Sequence, residues 1–387
     1  MKKERKINKI PVVAISTFGH CGVDWLHSLI DSHKEVLILP PLSFFRKIDS
    51  LKKKFFYLEN TLKPNTIVNI IRNIDFFNDK TARVSRSSRI LQKNQNKLTF
   101  IKYINNFLAA EKELVCEKRL FFAIHYAYAK INKINLNNIK VIVAHEHAPW
   151  NCYQYVKHFN SKFVFVVRDP RALVAGSLRG SLKSLKKRDV KRFMVSSKRY
   201  RKIPVNFSFD MNFSFALAAQ EFCQKMKKKR IIVLKNEDMH SNLKSEMKKL
   251  CKWLNIRFNK SLLHSTSAGK KWMGESSYLG KGELNKQPPK NYYKPINIEA
   301  RWRNFLDKNT ILIIEAVYEK IMIQNKYKFD NKLNFISKSL GYLGAVFKFQ
   351  PFNDPFSFIK LFIFKNIIRR IFIIFFNKQS RKIFDIG

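Results

Sequence analysis

The chain has 387 residues, 45% of them hydrophobic, and a net charge of +47 from 75 basic and 28 acidic side chains. That apolar fraction excludes a disordered chain and suits one large core with embellishments better than two equal domains. The five cysteines, Cys21, Cys116, Cys152, Cys223 and Cys251, are scattered singly, odd in number and without paired spacing, which favours a reducing compartment over a disulfide framework or a zinc site.

Residues 11–31, PVVAISTFGHCGVDWLHSLID, are an apolar run that breaks into a loop bearing Gly19 and Gly22 and resumes with helical spacing. Glycines at a strand end let backbone amides converge on an oxyanion at a helix N-terminus, so the segment reads as an anion cradle; a plain strand-to-helix turn is the alternative. Val23 and Asp24 stand where a nucleotide hydrolase needs Lys and a hydroxyl residue, which disfavours Mg-nucleotide hydrolysis. The apolar stretch over residues 10–15 is too short for an export signal or a membrane span, so a cytoplasmic protein is expected.

Residues 40–138 form a mostly helical insertion by pattern, with helices predicted over 44–58, 66–77, 94–110 and 120–134. Its position after the first strand–helix unit suits an acceptor-side cap, and its aromatic cluster, Phe121, Phe122, His125, Tyr126 and Tyr128, reads as core packing before it reads as a sugar platform. A short buried strand over 140–144 leads into His145, Glu146 and His147, and Pro149 follows. A third apolar run, 162–167, meets Arg168-Asp169-Pro170 and then a helix, whose first turn tolerates the proline. A fourth run, 230–234, precedes Asn236-Glu237-Asp238, so strand, polar tip and helix recur four times. Residues 183–202 hold ten basic side chains and one acid, a segment suited to guiding an acidic acceptor or to lying solvated as a loop. Residues 356–376, FSFIKLFIFKNIIRRIFIIFF, carry Lys360, Lys365, Arg369 and Arg370 among aromatic and aliphatic residues, too charged for a clean span. This composition fits an interfacial helix on anionic lipid or a C-terminal helix docked on the domain.

Four of these segments together resemble a sulfotransferase that uses 3′-phosphoadenosine 5′-phosphosulfate (PAPS). The first loop, with Asp31-Ser32-His33 after its helix, is similar to the family's 5′-phosphosulfate loop; residues 167–171 resemble its 3′-phosphate motif. Residues 234–256 look like its Tyr-Glu-Asp-Leu strand end and helix, with Asn236 where Tyr is usual, and residues 265–276, STSAGKKWMGES, resemble the Gly-Lys and Trp-Gly stretch that closes over the nucleotide. The resemblance implies a three-layer α/β sandwich around a central, mostly parallel sheet, of the P-loop nucleotide-hydrolase type. Residues 1–340 would form the sulfotransferase-like domain and residues 341–387 a basic aromatic tail.

Sulfuryl transfer is mostly positioning and charge stabilisation, and needs a base, donors on the leaving phosphate and cationic grips on the nucleotide, with no metal expected. The resemblance implies His147 as the base, with His145 and Glu146 as fallbacks; His20, where the family carries a fixed cation, could donate to the bridging oxygen once a bound anion favours its protonation. Gly19, His20, Cys21, Gly22, Val23 and Asp24 would line the phosphosulfate, and Arg168 would fork onto the 3′-phosphate. Ser177 is its expected partner, although the family's serine follows the arginine by eight residues, a position held here by Gly176. Gly269, Lys270, Lys271 and Trp272 would close over the adenine. The first loop departs from the pattern by carrying no Lys or Arg and by holding Asp24, whose carboxylate repels phosphate unless it points outward from the first turn. The expected activity is transfer from PAPS to a hydroxyl of a carbohydrate or glycolipid, in the cytoplasm or peripherally at the inner membrane face; a degenerate anion-binding relative is the second reading. A nucleic-acid binder is the third, weakened by the absence of any recognised nucleic-acid motif.

Overall fold

The computed structural model describes residues 7–41, 43–45, 97–109, 116–184, 203–267, 269–271, 291, 294–347 and 371. Five strands, β1 (Val12–Thr17), β2 (Val36–Ile38), β3 (Val141–His145), β4 (Lys162–Val167) and β5 (Ile231–Lys235), form one sheet in the order β2-β3-β1-β4-β5. Every neighbouring pair in it is parallel. Consecutive residues of β1 and β3 are all buried, and β4 is buried after its first residue, so both faces of the central strands are covered. A parallel sheet with helices on both sides requires this pattern, which explains why these strands read as unbroken apolar runs.

The α/β expectation therefore stands, with one addition: β2, three residues long, is an edge strand that the sequence reading leaves out. Helices α1 (Val23–Ile30), α2 (Lys97–Ala109), α3 (Glu117–Ile131), α4 (Cys152–Phe159), α5 (Pro170–Ser184) and α6 (Ile203–Lys225) precede β5. After it come α7 (Asn236–Ser241), α8 (Leu243–Leu254), a hairpin of β6 (Thr266–Ser267) and β7 (Lys270–Lys271), and α9 (Pro295–Arg303), α10 (Lys308–Val317), α11 (Glu319–Gln324) and α12 (Phe335–Phe347). The helices expected over 44–58 and 66–77 lie almost wholly outside the described residues, as do most of 183–202 and 356–376. Those expected over 94–110 and 120–134 are α2 and α3, which pack on each other.

Aromatic rings fill the space between sheet and helices. Phe222 of α6 lies 4.7 Å from Phe163 and 5.7 Å from Phe165 of β4, and Phe121 of α3 lies 5.3 Å from Phe44 and 4.7 Å from Phe159. Phe121, Phe122, His125, Tyr126 and Tyr128 are all buried, so this cluster is core. Burying each such ring contributes about 1.5–3 kcal/mol.

Candidate active site

All four strand–helix tips with polar residues lie at the carboxyl edge of the sheet, where open α/β folds bind ligands. The first loop depends on its two glycines. Gly19 has φ +124° and Gly22, which caps α1, has φ +92°. A Cβ on Gly19 would stand 2.8 Å from Asn212 Oδ1, and one on Gly22 would collide with Asn236 Nδ2. The loop is thus clamped by two asparagines from elsewhere. The backbone amide of His20 donates to Asn212 Oδ1 (3.2 Å), and Asn236 Nδ2 donates to the Cys21 carbonyl (2.9 Å).

These bonds sharpen the cradle. The His20 amide is engaged by Asn212, and the Cys21 amide donates to the Gly19 carbonyl at 2.7 Å. Amides of the first helical turn, those of Val23 and Asp24, have no intrahelical acceptor and face the N-terminus of α1. Cys21 contributes no nucleophile: its thiol is buried, and burial pushes its pKa up to about 12.

Asp24 does not point away from the site. Its carboxylate turns to the tip of β3, with Oδ1 3.6 Å from His145 Nε2 and Oδ2 3.7 Å from His147 Nε2. His145 and His147, two residues apart at a strand end, project to the same side. His147 Nδ1 is 2.5 Å from His145 Nε2, and His145 Nδ1 is 3.1 Å from His27 Nδ1 of α1. Three imidazoles form one chain, ending at the cleft on His147, whose side chain is 40% exposed. Burial lowers the pKa of His27 to about 3 and that of His145 well below the usual value, so the inner two are neutral. Burial also lowers that of His20, with His147 adding to the effect and Asp24 opposing it. Glu146, one residue between, faces away and is fully buried; Oε1 accepts from the Ala148 amide (3.1 Å) and Asn151 Nδ2 (3.4 Å), which removes it as an alternative base.

At the tip of β4, Arg168 has a buried Nε with no partner among the described residues, a donor waiting for an acceptor. Its charge is felt by Cys21, Glu237, His20 and His240, which places it beside the loop. Gly176 is the α5 residue that faces it: a Cβ there would sit 3.7 Å from Arg168 Nη1. Ser177 instead accepts from Asn212 Nδ2 at 2.9 Å, so it acts on the loop through Asn212. Arg171, by contrast, is structural. It donates to both Asp169 oxygens, to Glu315 (2.7 Å), to Asp330 (3.1 Å) and to the Lys328 carbonyl (2.8 Å), and stacks on Trp302.

The β6–β7 hairpin docks on the far end of α1. Asp31 Oδ2 accepts from Thr266 Oγ1 and from the Gly269 amide, both at 2.9 Å. Eight residues of helix put Gly269 about 12 Å along the axis from the loop amides, a separation suited to the two ends of one nucleotide. Lys270 and Lys271 form β7, and Trp272 lies outside the described residues.

The family profile described as sulfotransferase domain matches residues 11–326. The chain belongs to the sulfotransferase family. Among solved structures, the sulfotransferase domain from the curacin biosynthetic pathway is 13% identical, with 83% of this chain and 99% of that one covered at a TM-score of 0.47. A sulfotransferase from Mycobacterium avium is 10% identical over 86% and 81% of the two chains, at a TM-score of 0.38. A retinol dehydratase, solved with androsterone and the inactive cofactor PAP, is 12% identical over 86% of each chain, at a TM-score of 0.28. No curated protein sequence matches. Members of this sulfotransferase family use PAPS. The residues that neither apolar pattern nor motif reveals are Asn212 and the Arg171 partners Glu315 and Asp330, because each acts across long sequence separations.

Proposed function

We propose that this sulfotransferase moves the sulfuryl group of PAPS to a hydroxyl of a carbohydrate or glycolipid, with His147 as general base. One observation carries the reading: His147 opens onto the cleft beside the loop while its Nδ1 is anchored on His145 at 2.5 Å. A base at Nε2 needs its proton on Nδ1, donated to His145 Nε2. His145 then donates from Nδ1 to His27, so the chain of imidazoles fixes the tautomer. In the transfer, the acceptor oxygen forms a bond to sulfur as the bond from sulfur to the bridging phosphate oxygen breaks, and the acceptor proton passes to His147 Nε2. The amides of Val23 and Asp24 hold the departing phosphate, helped by His20 once an anion lies beside it. The orphaned Arg168 Nε fits a 3′-phosphate, and Gly269, Lys270, Lys271 and Trp272 belong to the adenine end.

Two features support a membrane-linked acceptor. Helix α12 packs on α10 through Gly341 and Gly344 and leaves Phe335, Ile336, Leu340 and Leu343 exposed; the basic, aromatic stretch at 356–376 follows it in sequence. Among the described residues, no helix is long and apolar enough to cross a membrane. Peripheral binding to anionic lipid at the cytoplasmic face is the arrangement we infer, and high-salt release from anionic vesicles tests it.

Labelled PAPS offered with glycan, lipid and phenol acceptors tests the activity. His147→Ala is expected to lose about 10²–10⁴-fold in turnover while retaining calorimetric affinity for 3′-phosphoadenosine 5′-phosphate over AMP. The absence of any Lys or Arg in the first loop favours the second reading, a nucleotide-binding relative without turnover. Binding of the bisphosphate with no transfer to any acceptor would establish that one.

A further inference from the structure

We propose that Asp24, His145 and His147 form a binding site for one divalent transition-metal ion of the zinc class, and that occupancy withdraws His147 from proton transfer. The donor atoms of these three residues lie within 4.8 Å of one another. Each Asp24 oxygen faces a different imidazole Nε2, at 3.6 and 3.7 Å. Ligands about 2.0–2.1 Å from a tetrahedral ion stand some 3.3 Å apart, so a small closure of the Asp24 side chain, which is half exposed, brings its carboxylate to ligand spacing from the imidazoles.

His147 must bind through Nε2, because its Nδ1 is 2.5 Å from His145 Nε2, closer than two ligands of one ion approach. Ligation therefore swings the His147 ring off His145. His145 needs no such movement: its Nδ1 is already held by His27 at 3.1 Å, the outer-shell support that fixes the ring of a metal-ligating histidine. Three protein ligands leave a fourth position open on the exposed side of His147.

The donor set selects the ion. Two imidazoles and one carboxylate suit zinc, cobalt, nickel or copper, whereas magnesium and calcium require oxygen cages. The site also gives Asp24 a use. A carboxylate at the head of an anion loop works against phosphate, yet it is the charge a cation needs, and residues 18–24 hold no lysine or arginine to oppose one.

Calorimetric titration of the metal-stripped full chain with zinc chloride is expected to give one ion per chain, with no heat from magnesium chloride. Asp24→Asn, which alters a half-exposed side chain, should weaken zinc at least about 10-fold while melting like the parent, and His27→Leu should weaken it by about 10-fold through the outer shell. Cobalt loading adds a signature: a d–d spectrum without a thiolate charge-transfer band. Absence of zinc binding, affinity unmoved by Asp24→Asn, or a thiolate band marking cysteine ligands would each overturn the site. The inhibitory clause rests on His147 as base and is read separately. Zinc should stop PAPS turnover, and a chelator should restore it. Stoichiometric zinc with turnover unchanged would remove that clause. If no turnover is found under any condition, the proposed activity fails while the binding result stands by itself.

Discussion

A line between β1 and β4 divides the sheet into two halves that treat buried polarity in opposite ways. On the β2-β3-β1 side the groups behind His147 are imidazoles, His27 and His145, buried and held neutral, with His27 Nε2 without a partner among the described residues. On the β4-β5 side, Arg168 Nε apart, the buried charges are held by partners. Arg171 serves Asp169, Glu315 and Asp330, while Glu237 accepts from the Asp169 amide (2.9 Å) and from Tyr327 Oη (3.0 Å). A fully satisfied ionic network is costly to disturb and holds one geometry. A chain of neutral imidazoles can pass, hold or surrender a proton with little rearrangement. The second half thus holds one geometry, and the first keeps its groups able to exchange protons.

The largest effect should come from breaking the rigid half. Arg171→Met leaves Glu315, which has no exposed surface, and Asp169 without their cation, and should cost about 3–5 kcal/mol in urea unfolding. Arg171→Lys should not rescue it, because one ammonium cannot reproduce a planar fork that reaches three carboxylates and a carbonyl. A loss under about 1 kcal/mol would mean that the network is ornamental and that the two halves do not differ in this way.

Acid should strike the imidazole half first. His125 of α3, which packs against the β2 edge, donates from Nδ1 to the Phe121 carbonyl at 2.7 Å, and burial lowers its pKa from 6.5 to about 4. Below pH 6.5 the unfolded chain takes up a proton that the folded chain refuses. This share of stability is therefore complete above 6.5 and is lost as the pH falls to about 4, a total near 3 kcal/mol. Urea midpoints at pH 7 and pH 5 should separate in the parent and draw together in His125→Leu. An unchanged separation would move the acid sensitivity to the carboxylates of the other half.

The division also explains what the sequence disclosed. Apolar runs announced β1, β3 and β4 because each is buried on both faces, and β5 through its β-branched run although only Leu234 of it is buried; positive φ at Gly19 and Gly22 is a demand that glycine itself advertises. β2 escaped because three residues carry no period. The clamp on the first loop escaped for a different reason: Asn212 lies 192 residues from the His20 amide it accepts, and an asparagine inside a helix has no local mark of such a bond. His27 could have been found, since it shares the inward side of α1 with Val23, Leu26 and Ile30, where an imidazole among aliphatics signals a buried polar partner. The direction of Asp24 could not, because a helix N-terminus accepts a carboxylate whether it turns outward or toward β3.

The smallest predicted effect is a gain, and it probes the seam between the halves. The slot of α5 that faces Arg168 holds Gly176, while the neighbouring hydroxyl of Ser177 is bonded to Asn212. A Cβ at 176 meets only Arg168 Nη1 among the described residues, at an ordinary 3.7 Å, so Gly176→Ser fits without displacing backbone. Its hydroxyl would stand beside the guanidinium as a second donor to a 3′-phosphate, which should tighten binding of 3′-phosphoadenosine 5′-phosphate by about 3- to 10-fold. Replacing glycine inside a helix should also raise stability by a few tenths of a kcal/mol. Calorimetry against the bisphosphate and against AMP separates the two contributions, because only the first depends on the 3′-phosphate. Equal affinity for the bisphosphate before and after the change would place that phosphate away from α5, and Arg168 would then grip a different part of the ligand.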